Sequence, residues 1–226
     1  MGRVFDLLAE RHRVVAPQLV GFLPSEQPDM VYSTDAQIAH LSGFLEALDL
    51  TGCTLAGESY GGWLVAAYAA RAAEPGSQLA RVGRYAILCG AVGIRIERPR
   101  ETPGQPSQPR PPPQTPLWRA IVKRLPDLNP HEVANNPTRE AILAASDLGG
   151  GWPDTAALAQ IATPTLLLWG EDDDLVPVKF GRAAAAAIPG SELVVLPGVG
   201  HIPSIDAPRD FVRILTDFTA RGRAGW

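Results

Sequence analysis

A serine, a histidine and a cluster of acids occupy turn-like stretches of this chain, and side chains of those three types can together cleave a carbonyl compound. Ser59 stands in Gly57-Glu58-Ser59-Tyr60-Gly61, the pattern G-x-S-x-G. Glycines two before and two after the serine let strand and helix approach closely around a strained turn that presents the hydroxyl. A serine hydroxyl is a poor nucleophile until an imidazole takes its proton, and the imidazole needs a carboxylate to hold its tautomer and stabilise its charged form. His201 ends the Gly-rich run Pro197-Gly198-Val199-Gly200-His201, and acids crowd Glu171-Asp172-Asp173-Asp174. These stretches are distant in sequence, so the fold has to bring them together.

The elements predicted around them can do so. Thr51 to Gly57 reads as a Gly-turn followed by a buried strand, and from Tyr60 the chain becomes an Ala-rich helix to about Ala73, so Ser59 sits where strand turns into helix. Thr165 to Trp169 and Glu192 to Leu196 read as strands, which places the acids and His201 just past strand ends. Arg13 to Pro17 and Tyr85 to Cys89 are further strands by their apolar runs. Helices are expected at Val4 to His12, after a cap at Ser33 or Thr34, at Lys179 to Ile188 and at Arg209 to Arg221, with Asp206 as the cap of the last. This rhythm predicts an α/β fold with a mostly parallel sheet covered on both faces, in which chemistry collects at the C-terminal strand ends. Between Pro99 and Pro116 the chain is too rich in proline for helix or sheet, and short helical stretches follow it. The expected division is therefore residues 1–94 and 163–226 as the core, with 95–162 inserted as a lid in which Trp118 and Trp152 are candidates to line a pocket.

With 226 residues, 46% hydrophobic and 19% charged, the chain can bury one sizeable core. A net charge of -4 with interspersed signs carries no footprint for nucleic acid or an anionic membrane, and no apolar run is long enough to span a bilayer. No signal-peptide pattern opens the chain, so a cytoplasmic location and a small-molecule substrate are expected; oligomeric state is not read from the sequence. Cys53 and Cys89 lie in apolar runs and read as buried thiols rather than a disulfide or metal pair. No cofactor and no metal are implied. His12 ends a helix, where a cation suits the dipole, His40 lies mid-helix and His131 lies in the insertion, and all three are read as non-catalytic.

On Gly57 to Gly62, Gly170 to Pro177 and Gly200-His201, the chain resembles the α/β-hydrolases of the lid-bearing branch that holds esterases, lactonases and carbon–carbon bond hydrolases. The order nucleophile, acid, histidine is the one those enzymes use. The resemblance implies that the acid is the Asp three residues after the Gly and four before the Pro, which selects Asp173 and leaves Asp172 and Asp174 as solvated neighbours. It implies catalytic Ser59, Asp173 and His201, an oxyanion bound by the Tyr60 backbone N–H, and cleavage of a small, mainly apolar ester or related acyl substrate through an acyl-enzyme. A carbon–carbon bond hydrolase with the same triad and a non-catalytic binding module are the other readings.

The family pattern also has strands and a His-Gly loop ahead of the helix with which this chain opens. That loop supplies a second oxyanion donor, so the resemblance implies an N-terminally shortened form with impaired activity. The absent strand would lie between the strand of Val14-Val15 and the elbow strand, which must then pair directly or leave a gap. Gln18, where the family usually has Asp, and Leu23-Pro24 depart from the pattern as well.

Overall fold

Continuous apolar runs such as Tyr85-Ala86-Ile87-Leu88 and Leu166-Leu167-Leu168-Trp169 have no polar face to offer water, so both faces of their strands have to be covered. The computed structural model describes residues 2–22, 25, 26, 28, 33–88 and 155–221. In chain order these contain α1 (Gly2–Ala9), α2 (Thr34–Ala47), β1 (Thr54–Glu58), α3 (Tyr60–Ala72), β2 (Arg84–Leu88), α4 (Thr155–Leu158), β3 (Thr165–Gly170), α5 (Lys179–Ala187), β4 (Glu192–Leu196), α6 (Pro203–Asp206) and α7 (Pro208–Ala220). Most of the expected lid, with Trp118, His131 and Trp152, and also Cys89, lies outside the described residues.

The four strands form one sheet in the order β1-β2-β3-β4, every pair parallel. Successive side chains of a strand point to opposite faces, and the two cores follow from that. Tyr85, Ile87, Leu167 and Trp169 pack with Ile38, Leu41 and Leu45 of α2, the Trp63 to Ala69 stretch of α3 and Ala184 of α5. Ala86, Leu88, Leu166 and Leu168 face the other way, against Val4 of α1 and Phe211, Ile214, Leu215 and Phe218 of α7. The α/β reading is borne out, with helices on both faces of a parallel sheet.

The helix limits follow local chemistry. Ser33 caps α2, its hydroxyl accepting from the Ala36 N–H at 3.2 Å, and Glu46 and Asp49 face solvent. Leu48 falls at the C-cap and is exposed.

Several expectations fail. The elbow strand β1, expected buried, has no fully buried residue and exposes Ala56, and Cys53 before it is only partly buried. Arg13 to Pro17 is not a strand, and Val15 is exposed. Its apolar run is only Val14-Val15-Ala16, which buries little, and Pro17 has no N–H to give a ladder. β1 consequently pairs with β2 alone and forms one edge of the sheet among the described residues. Asp206 does not cap the last helix: it ends α6, and Ala207 is the N-cap of α7.

The parallel register aligns the strand ends that matter. Glu58 stands opposite Leu88 and Gly170 opposite Leu196, so the chain leaves β1, β3 and β4 along one edge. β1 and α3 can meet there because Gly57 has no side chain: a Cβ at that position would lie 2.2 Å from the Gly61 carbonyl oxygen. Neither backbone can yield without moving strand or helix. Gly57→Ala is therefore expected to lower unfolding stability by about 1–3 kcal/mol or more, whereas Gly61→Ala, with nothing described within 4 Å of its Cβ position, changes it by about 1 kcal/mol or less. Urea denaturation of the two variants checks the contrast.

Candidate active site

Ser59 follows β1 and stands at the N-cap of α3 with φ 57° and ψ -117°. A positive φ on a non-glycine residue is strained and persists only where surrounding structure enforces it, here the packing of β1 and α3 and the bond from the Ser59 N–H to the Leu88 carbonyl at 2.9 Å. A serine at an N-cap ordinarily spends its hydroxyl on the first helical turn. This one makes no such bond. Its Oγ lies instead 2.8 Å from His201 Nε2.

The acid loop forms just past β3. Asp173 Oδ1 accepts from the backbone N–H groups of Leu175 at 3.0 Å and Val176 at 2.7 Å. Trp169 Nε1 donates to the Val176 carbonyl at 2.9 Å and pins the far side of the loop to the core. Asp173 Oδ2 is left for His201 Nδ1, at 2.8 Å. Both side chains are sealed off, with 1% of the His201 side chain and none of Asp173's exposed. A carboxylate can only accept, so Nδ1 carries the proton and Nε2 accepts from the Ser59 hydroxyl. Asp172 and Asp174 are exposed and point no donor or acceptor into this set.

The loop bearing His201 meets the acid loop by close backbone approach. A Cβ on Gly170 would fall 2.1 Å from the Gly200 carbonyl oxygen and 2.2 Å from that of Val199. The Asp172 N–H donates to the Val199 carbonyl at 2.9 Å. Past the histidine, Asp206 Oδ2 accepts from the Gly200 N–H at 3.3 Å. Glu58, next to the serine, turns toward α6: its Oε2 accepts from Ser204 Oγ at 2.6 Å and its Oε1 from the Ser204 N–H at 3.2 Å.

The structure thus brings Ser59, Asp173 and His201 into one hydrogen-bonded line, with the Tyr60 N–H at the start of α3. Sequence reasoning overlooked Ser204 and assigned Asp206 elsewhere. A signal existed in His201-Ile202-Pro203-Ser204, a proline-started turn that keeps Ser204 close behind the histidine. His40 is on α2, donating from Nδ1 to the Ala36 carbonyl at 2.8 Å, outside the set. Burial pushes the Cys53 thiol up, away from the thiolate a cysteine nucleophile needs. A cavity of about 270 Å³ near Gln18, Leu19, Gln37 and Phe44 includes none of Ser59, Asp173 or His201. No helix among the described residues is long and apolar enough to cross a membrane.

A sequence profile described as alpha/beta hydrolase family matches residues 1–214. The chain belongs to the α/β hydrolase family. The 2-hydroxy-6-oxo-2,4-heptadienoate hydrolase of Pseudomonas putida strain F1 is 30% identical over 237 residues, which cover 96% of this chain and 82% of that relative. A solved serine hydrolase involved in carbazole degradation superposes with a TM-score of 0.71 at 25% identity, over 96% of this chain and 83% of the other. A solved membrane phospholipase A matches with the same TM-score of 0.71 and 25% identity, over 96% and 73%. Such relatives bear out an enzyme of the α/β hydrolase type rather than a binding module.

Within this α/β hydrolase, burial raises the Glu58 carboxyl above its ordinary value of 4.5; the bonds from Ser204 and the nearby His201 pull it back, and Asp206 adds to the rise. A carboxyl whose folded pKa lies above the unfolded one favours folding in its protonated form. That contribution is complete below the unfolded value and is lost as pH rises through the folded one. Glu58→Gln cannot ionise, so its thermal midpoint relative to the unmodified protein is expected to improve as pH is raised from about 4 to about 7. A difference in midpoints that stays flat across that range would contradict it.

Proposed function

We propose that this α/β hydrolase cleaves its substrate with Ser59 as nucleophile, His201 as general base and acid, and Asp173 as the carboxylate that orients His201. The observation that supports this most directly is the pair of 2.8 Å hydrogen bonds running from Asp173 through His201 to Ser59, together with a serine hydroxyl that α3 does not use as a cap. In this reading His201 Nε2 takes the Ser59 proton as Oγ adds to a carbonyl carbon. The Tyr60 N–H, at the positive end of the α3 dipole, donates to the oxygen that becomes negative. Collapse expels the leaving group, which takes up a proton, and water then releases the acyl group from Ser59 by the same sequence in reverse roles.

The substrate class we favour is a vinylogous diketone whose carbon–carbon bond beside the ketone is hydrolysed. The likeness to the 2-hydroxy-6-oxo-2,4-heptadienoate hydrolase, at 30% identity over 96% of this chain, supports it. In that case the carbon fragment leaves because its electron pair spreads over the conjugated oxo-acid, and it then accepts a proton. An ester is the second reading, supported by the likeness to the phospholipase A; there the leaving group is an alcohol. Both readings need the same three side chains.

A fluorophosphonate probe is expected to label Ser59 in the unmodified protein and to leave Ser59→Ala unlabelled, with kcat in that variant down by on the order of 10⁴-fold or more. Labelling that persists in the variant removes the nucleophile assignment. Turnover of 2-hydroxy-6-oxo-dienoates, followed by loss of their visible absorbance, against a panel of p-nitrophenyl esters separates the two substrate classes: higher kcat/KM on the esters would overturn the first choice.

A further inference from the structure

The order of strands poses a mechanical problem. Ser59 is carried by β1 and His201 by the loop after β4, at opposite edges of the described sheet, while Asp173 belongs to the loop after β3. Hydrogen bonds fix His201 firmly to the acid side: Nδ1 to Asp173, and the 199–200 backbone against Gly170 and Asp172. On the serine side the bond from Ser59 Oγ to Nε2 is the one that the proposed reaction dissolves as the proton moves. The histidine segment is also glycine-rich, with Gly198 at φ 69°, so its own backbone is weakly self-limiting.

A second tie to the serine side is present, and it is not consumed. Glu58 is the residue before Ser59, and Ser204 is three residues after His201. The two are joined by hydrogen bonds of 2.6 Å to Ser204 Oγ and 3.2 Å to its N–H, across 146 positions of sequence. Ser204 lies in α6, whose preceding loop is held at Gly200 by Asp206.

We propose that Glu58 is a positioning residue: by gripping Ser204 it keeps His201 in line with Ser59 while the hydrogen bond between those two is lost and remade. This rests on the reading of Ser59, His201 and Asp173 as the reacting set. The titratable groups gathered about His201 are Asp173 from the loop after β3, Glu58 from the end of β1 and Asp206 from α6. Of these, Glu58 is the one on the serine's own strand.

The test uses Glu58→Gln, Glu58→Ala, Ser204→Ala and the Glu58→Ala/Ser204→Ala double variant, each first checked for native circular dichroism. The His201 ring resonances are followed by NMR, which needs no turnover. Fluorophosphonate labelling rates are then measured against pH. Breaking the tie changes the surroundings and freedom of the ring, so its resonances are expected to shift or broaden in Glu58→Ala and in Ser204→Ala alike. Labelling in Glu58→Ala and in Ser204→Ala is expected to slow by roughly 10- to 100-fold, the range that misplacement by about 1 Å produces. The double variant is expected to be no slower than the worse single one, because both break the same tie. Glu58→Gln, which keeps an acceptor for Ser204, falls between. Unmoved His201 resonances together with unchanged labelling in Ser204→Ala overturn the proposal; Ser204→Ala decides it by itself if Glu58→Ala does not fold. Failure of the unmodified protein to label at all would count against the nucleophile assignment, and the NMR spectra would still read the tie.

Discussion

The carboxylate of Asp173 is closed off from water, and a charge so placed persists only while donors satisfy it. Three do: two backbone N–H groups of its own loop and the ring of His201. Much else in the structure is arranged around that requirement. Trp169, buried on β3, reaches forward to hold the Val176 carbonyl, so the strand that delivers the acid also braces the loop that feeds it. Gly170 is bare because the 199–200 backbone has to come within a few ångströms to hand over the histidine. Remove the imidazole and the acid keeps its two amides but loses the partner that compensates its charge; remove the acid and the imidazole has nothing to fix its tautomer.

Strain at Ser59 belongs to the same economy of position. A positive φ there costs of order 1–3 kcal/mol, and it is offset by burial of α3 in the core that contains Trp63, Leu64 and Tyr68. What the strain secures is direction. The backbone turns sharply enough that the side chain leaves the helix axis and meets Nε2 rather than folding back onto the amides of α3.

Sequence reading succeeded where a residue's neighbours along the chain decide its state. The apolar runs at Tyr85 to Leu88 and Thr165 to Trp169 could only be covered strands. Among the neighbouring acids Asp173 is buried, whereas Asp172 and Asp174 are exposed. It failed where the outcome depends on a partner far away. Val14-Val15 has strand propensity but, among the described residues, no neighbouring strand to pair with, and propensity without a ladder left it irregular. Asp206 has the right type and place for a helix cap, yet the Gly200 N–H was a nearer donor. The proline-started turn keeps Ser204 close behind His201, but its partner Glu58 stands 146 positions earlier and could not be read from that turn.

The geometry around Ser59 leaves the leaving group undetermined for a chemical reason. Addition of a serine oxygen to a carbonyl carbon calls on the same base and the same oxyanion donor whether the bond that breaks is to oxygen or to carbon. The difference arises afterwards. An alcohol leaves if it is given a proton as it departs; a carbon fragment leaves only if its electron pair is delocalised first, which requires groups that hold a conjugated acid in the right orientation. Such groups have to approach from above the strand ends, since below them the sheet is filled by Leu88, Leu168 and their neighbours.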